Sequence, residues 1–90
     1  MTYLLIRHRV AEFTAWKKAF DAHAPARAAG GLKDKDVLHE VDEPNQVVLL
    51  FEVTDMAKAK EFANSADLQS AMKGAGVTDK PDVLFLTRAN

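Results

Sequence analysis

The chain has 90 residues, 12 basic and 13 acidic side chains for a formal net charge of −1, and no cysteine. That length builds one hydrophobic core and one domain, over residues 1–90. The balanced charge gives no electrostatic reason to bind nucleic acid or an anionic membrane, and the lack of cysteine excludes disulfides, thiolate metal sites and a cysteine nucleophile.

Residues 2–10, TYLLIRHRV, predict a strand. Side chains alternate between faces, so Leu4, Ile6, His8 and Val10 share one and Tyr3, Leu5, Arg7 and Arg9 the other. Residues 13–29 predict a helix, because Phe13, Trp16, Phe20, His23 and Arg27 recur at spacings of three and four along one stripe. Glu12 or Thr14 is its candidate cap. Pro25 removes a backbone donor and predicts a break near Ala24, and Gly30-Gly31 ends the helix.

Two extended runs, 35–42 and 46–54, flank Glu43-Pro44-Asn45, a turn signal that predicts a β-hairpin. A three-residue loop sets Asp42 opposite Gln46. Val37, His39 and Val41 then share a face with Val47, Leu49, Phe51 and Val53. Leu38, Glu40, Val48, Leu50 and Glu52 take the other face. Thr54 or Asp55 caps a second helical region over 56–73, broken at Asn64-Ser65, where Ser65 caps a short further helix. Its buried residues are expected to be Phe62, Leu68 and Met72. DVLFLT, residues 82–87, is the last strand. The longest apolar run, Val47 to Phe51, is too short to cross a membrane, and the N-terminus reads as no signal peptide, so a cytoplasmic location is expected.

The order β-α-β-β-α-β predicts an α+β, ferredoxin-like fold: a four-stranded antiparallel sheet in the order 4-1-3-2 with its helices on one face. The uncovered face would carry Leu5, Val48, Leu50 and either Val83 and Phe85 or Leu84 and Leu86. So apolar a face predicts a partner, and a homodimer packed through it.

His8 points toward the helices, where it is either a general base or acid or a core histidine bonded to the backbone or to water. Trp16, Phe20, Phe51 and Phe62 face the gap between helices and sheet and either line a pocket for a flat apolar ligand or fill the core. His23 stands at the mouth of that gap or simply near a helix end, and His39 is on an edge strand, as a ligand contact or at a dimer seam. Arg7 and Arg9 share the open face with Glu40 and Glu52, which predicts ion pairing at the dimer interface; the other reading is an anion site. No metal site is expected, since His8 and His39 lie on strands about 10 Å apart with a third strand between them. A phosphate-binding glycine loop, a Ser-His-Asp set and paired catalytic carboxylates are all missing from the sequence.

The runs RVAEFTAWKKAFDAHAPARAAGG and DEPNQVVLLFEVTDMAKAKEFANSADLQSAMKGAGV resemble the dimeric α+β barrel superfamily, and within it the small proteins related to the antibiotic biosynthesis monooxygenases. The resemblance implies a homodimer with a pocket between the sheet and helices of each subunit, near His8, Trp16 and Phe62. It implies a small apolar or aromatic organic ligand and a cofactor-independent monooxygenase-like or cyclase-like reaction, with His8 as proton acceptor. The positions that serve catalysis in cyclases of the superfamily correspond to Leu4, Phe62 and Leu68, all apolar here, and residues 55–76 hold no histidine for a haem iron. Those departures support a rival reading, a non-catalytic homodimer that binds a ligand or a protein.

Overall fold

A computed structural model describes residues 2–74, 76–77 and 80–89. Their elements are β1 (Thr2–Arg9), α1 (Phe13–Ala22), α2 (Ala24–Ala29), β2 (Leu32–Glu40), β3 (Glu43–Val53), α3 (Met56–Ala63), α4 (Ala66–Gly74) and β4 (Asp82–Thr87). The strands form one antiparallel sheet in the order β2-β3-β1-β4, which is the expected 4-1-3-2, and the helices cover one side of it.

Alternation along β1 decides which face is covered. Leu4 lies opposite Phe51 and Phe85, Ile6 opposite Leu49 and Val83, and His8 opposite Val47. Leu4, Ile6, Val47, Leu49 and Phe51 form the core with Trp16 of α1, Leu32 of β2 and Ala59 of α3. Leu84 and Leu86 of β4 are therefore the pair on the open face.

The helix breaks fall where the sequence places them. His23 ends α1, and Pro25 occupies the first turn of α2, where a missing N–H costs no intrahelical bond. Glu12 caps α1 by accepting from the Thr14 and Ala15 amides at 3.2 and 2.7 Å. Asp55 caps α3 through the Lys58 amide, and Ser65 Oγ accepts from the Leu68 amide in the first turn of α4.

The hairpin differs from expectation. Val41 and Asp42 form the turn, and Glu43, Pro44 and Asn45 belong to β3. Asn45 is held by other partners: its carbonyl accepts from the Val10 amide at 2.8 Å and its side-chain oxygen from the Phe13 amide at 2.9 Å. Those bonds clasp the β1–α1 connection and leave Asn45 unavailable as a turn former. His39 consequently pairs with Val47 and Val37 with Leu49, two residues away from the register a 43–45 turn would set. A two-residue shift keeps Val37 and His39 on the face of Val47 and Leu49, and Leu38 on that of Val48 and Leu50, whereas Val41 leaves the ladder for the turn and is 91% exposed. β2 also begins earlier than expected, at Leu32, and an irregularity between Asp34 and Asp36 adjusts its pairing with β3.

The arginine partners differ as well. Asp82 lies directly opposite Arg7 and binds it at 2.7 Å, and Arg9 meets Glu43 at 3.0 Å. Of the expected partners, Glu52 sits across from Tyr3, further along β1, and stands 3.9 Å from Lys35. Glu40 is opposite Glu43, at the hairpin end. The register, which charge matching on a shared face does not supply, decides these pairs.

Candidate functional site

A cavity of about 60 Å³ lies between the helices and the covered face of the sheet. β1 supplies Ile6 and His8 to its wall, and β3 supplies Leu49 and Phe51. α1 supplies Trp16 and Phe20, and the second helical pair supplies Phe62, Leu68 and Met72. His23, at the α1–α2 junction, completes the set of predicted residues that the fold brings together: His8, Trp16, Phe20, His23, Phe51 and Phe62.

His39 is outside it. Its ring is exposed and packs edge-on against Phe13, with centroids 5.0 Å apart. The two-residue register shift carries it toward the hairpin end, beyond the start of α1, and Leu32 is the residue that β2 gives the cavity. Leu32 directly follows Gly30-Gly31, an apolar residue after a helix stop, and that was the available sign of a buried strand start.

His8 is 3% exposed, and its Nδ1 has no hydrogen-bond partner among the described residues. Burial pushes its imidazole pKa down, with a weaker opposite contribution from its own backbone. The ring is therefore neutral at neutral pH. It stands edge-on to Trp16, with centroids 5.6 Å apart. Trp16 stacks on Phe20 at 5.0 Å, and Phe20 on Phe51 at 6.4 Å. An imidazole with a spare ring nitrogen thus stands at one end of an aromatic wall.

Arg27 is the charged lining residue that sequence reasoning left out of the pocket. It lies on the predicted stripe, one turn into α2, and is 5% exposed. Its guanidinium lies 3.6 Å over the Phe20 ring, forks onto Asp34 through Nε and Nη2 at 3.0 Å each, and donates from Nη1 to the Phe20 carbonyl at 2.6 Å. The stripe placed Arg27 toward the sheet; Asp34, its carboxylate, lay in a stretch without a strand signal.

His23 and Phe62 line the cavity with rings that stack, centroids 6.1 Å apart. The same two residues line a surface groove of about 710 Å³ between α2 and α3. Among the described residues no group of three or more His, Cys, Asp or Glu is placed to hold a metal ion. No helix among them is long and apolar enough to cross a membrane.

No family model and no curated protein matches the sequence. Solved structures do. A protein assigned as an antibiotic biosynthesis monooxygenase from Bordetella bronchiseptica superposes with a TM-score of 0.79 at 16% identity, over 99% of this chain and 97% of that one. SnoaB, a cofactor-independent oxygenase from Streptomyces nogalater, gives 0.76 at 17% identity, over 99% and 93% of the two chains. An uncharacterized NIPSNAP domain protein from Burkholderia xenovorans gives 0.69 at 13% identity, over 99% and 95%. Across its whole length, then, the chain has the ferredoxin-like fold of the antibiotic biosynthesis monooxygenase-like proteins.

Proposed function

We propose that the protein is a homodimer whose cavity binds a small aromatic molecule and turns it over without a cofactor, with His8 as the proton acceptor. The observation that carries this reading is the buried His8 imidazole, neutral and with Nδ1 unpartnered, at the edge of an aromatic-walled cavity. Buried polar atoms are nearly always satisfied, so an orphan nitrogen on a residue that lines the cavity fits a ligand that carries the missing partner. A neutral imidazole accepts a proton from a weakly acidic O–H or C–H placed beside it. The anion so formed reacts with dioxygen in an oxygenase, or with a carbonyl of the same molecule in a cyclase. Similarity of fold to a cofactor-independent oxygenase supports the first of these.

The apolar residues Leu4, Phe62 and Leu68, at the positions that serve catalysis in cyclases of the superfamily, favour a second reading, a non-catalytic homodimer that binds its ligand. About 60 Å³ is less than half of the roughly 150 Å³ in which an apolar cavity takes up benzene, so an aromatic guest requires the lining side chains to move apart. A protein that binds such a guest without reacting it would show the same walls.

Oxygen uptake with a panel of phenolic aromatics separates the two. In the oxygenase form of the enzyme reading one or more compounds consume oxygen, and His8→Gln lowers the rate about 100-fold or more while circular dichroism stays native. Undiminished uptake by the variant rejects His8 as the base. Binding with neither oxygen uptake nor a new product by chromatography across the panel favours the non-catalytic reading.

A further inference from the structure

Neither the proton acceptor nor the aromatic wall accounts for Arg27. A guanidinium has five N–H donors. Three are engaged, two on Asp34 and one on the Phe20 carbonyl, which leaves two without a partner among the described residues. They belong to a residue that is 5% exposed and lines the cavity. Arg27 is also the one residue with a permanent charge among the described lining residues, and no carboxylate is among them.

Its counter-charge is placed asymmetrically. The Asp34 side chain is 46% exposed and the Arg27 side chain 6%. Water screens the carboxylate end of the pair, while the guanidinium end faces a low-dielectric cavity where its field is strong. The guanidinium also lies 3.6 Å over Phe20, which in turn stacks on Trp16. The guanidinium is therefore part of the same wall as the aromatic rings, within reach of a substituent on a ring held there. His8 adds no second positive charge, being neutral.

We infer that Arg27 is the specificity-determining residue of the cavity and selects aromatic ligands that carry an anionic oxygen, a carboxylate or a phenolate, beside its free N–H donors. The inference rests on the reading that the cavity admits an aromatic guest, and adds the chemical group that the guest must bear. A neutral apolar guest leaves both N–H groups unpaired in a desolvated site, and an anionic oxygen satisfies them with charge-assisted hydrogen bonds.

Trp16 is the only tryptophan in the chain and stands in the cavity wall, so its emission reports on the site alone. Titration of the wild-type protein with benzoate and with benzamide, which match in shape and differ in charge, is expected to give a Kd at least tenfold lower for benzoate. Arg27→Gln leaves Asp34 without its partner and risks the fold, so Arg27→Gln combined with Asp34→Asn, which leaves no unpaired charge, is the principal variant. In it the benzoate-to-benzamide ratio should fall to about one. In the wild-type protein the Arg27 Nε–H resonance, read by NMR, should shift with benzoate and not with benzamide. A structural clamp between α2 and β2 would move stability and leave the ratio alone.

Equal wild-type affinities overturn the inference and leave the aromatic cavity standing. A preference that persists in the double variant overturns Arg27 as its source. If neither compound perturbs Trp16 or the Arg27 resonance, the inference and the cavity reading fall together.

Discussion

His8 has the most consequential environment of any single residue in the molecule. Its face was legible in the sequence, because period-two alternation in a strand this apolar separates His8 from Arg7 and Arg9 without any tertiary information. Its partners were not, since an orphan Nδ1 is a property of what the folded chain packs around the ring, Trp16 of α1 among it. A folded-state pKa below the usual 6.5 has a definite consequence for stability. Between the lowered value and 6.5 the unfolded chain binds more protons than the folded one, so stability rises with pH through that window. The contribution is complete above 6.5 and is lost as pH falls toward and below the folded-state pKa. Urea unfolding between pH 7.5 and 5 should show the midpoint falling on the acid side, and His8→Gln should flatten that part of the profile. The lowered Glu12 pKa acts in the same direction below its usual 4.5, outside this window. A variant profile that parallels the wild type would show that His8 titrates alike in both states.

Two connections between elements show where sequence patterns stop being informative. Gly30-Gly31 reads as a helix stop, and it is one: Gly31 has φ of +76°, a conformation that favours glycine. The requirement at Gly30 is different and invisible in one dimension. A Cβ there would stand 2.7 Å from Cγ of Phe62, so the α2 terminus and α3 are in contact because Gly30 has no side chain. Gly30→Ala must displace Phe62, at a cost of about 1–3 kcal/mol by overpacking, read as a lower urea midpoint. It should also disturb the His23–Phe62 stack on the cavity wall, so the rate at which benzoate reaches Trp16 should change in stopped-flow mixing. An unchanged midpoint would mean that α3 yields freely. Asn45 makes the same point from the other side. Pro44-Asn45 is a strong turn signal, but Asn45 spends its hydrogen-bonding groups on the Phe13 amide and the Ala11 carbonyl. Asn45→Ala leaves the first amide of α1 without its acceptor, and a loss of about 1 kcal/mol or more is expected on the same assay. The turn, the register and the position of His39 all followed from reading Asn45 by propensity, when a contact 32 residues away decides its role.

At the scale of the whole molecule, the sheet has two faces with different fates. One carries the core and the cavity. The other exposes Leu38 and Leu84 by 53% and 51% and Leu86 by 39%, next to half-buried Leu5, Val48 and Leu50. Element order and binary pattern made this legible in the sequence, since hydrophobic residues on both faces of a one-layer sheet leave one set uncovered. A monomer rarely keeps such a patch in water, and the proposed homodimer covers it with a second copy. Leu84 is the sharpest test. It lies opposite Leu5, near the middle of the β1–β4 ladder and on the face away from the cavity. In a two-fold interface every substitution is present twice. Losing about 2 kcal/mol of burial at each copy of Leu84→Glu raises the dimer dissociation constant about a thousandfold, before the added cost of an unpaired carboxylate. Sedimentation should then find wild-type dimers at micromolar concentration and Leu84→Glu monomers, with circular dichroism unchanged. A wild-type monomer at that concentration would remove the dimer. A variant still dimeric would move the interface elsewhere, toward the β2 edge where Leu38 stands. Because Leu84 and the cavity occupy opposite faces, the monomeric variant should still bind benzoate if each subunit's site is complete by itself. Binding lost along with the dimer would instead show that the second copy holds the covering helices in place through the sheet.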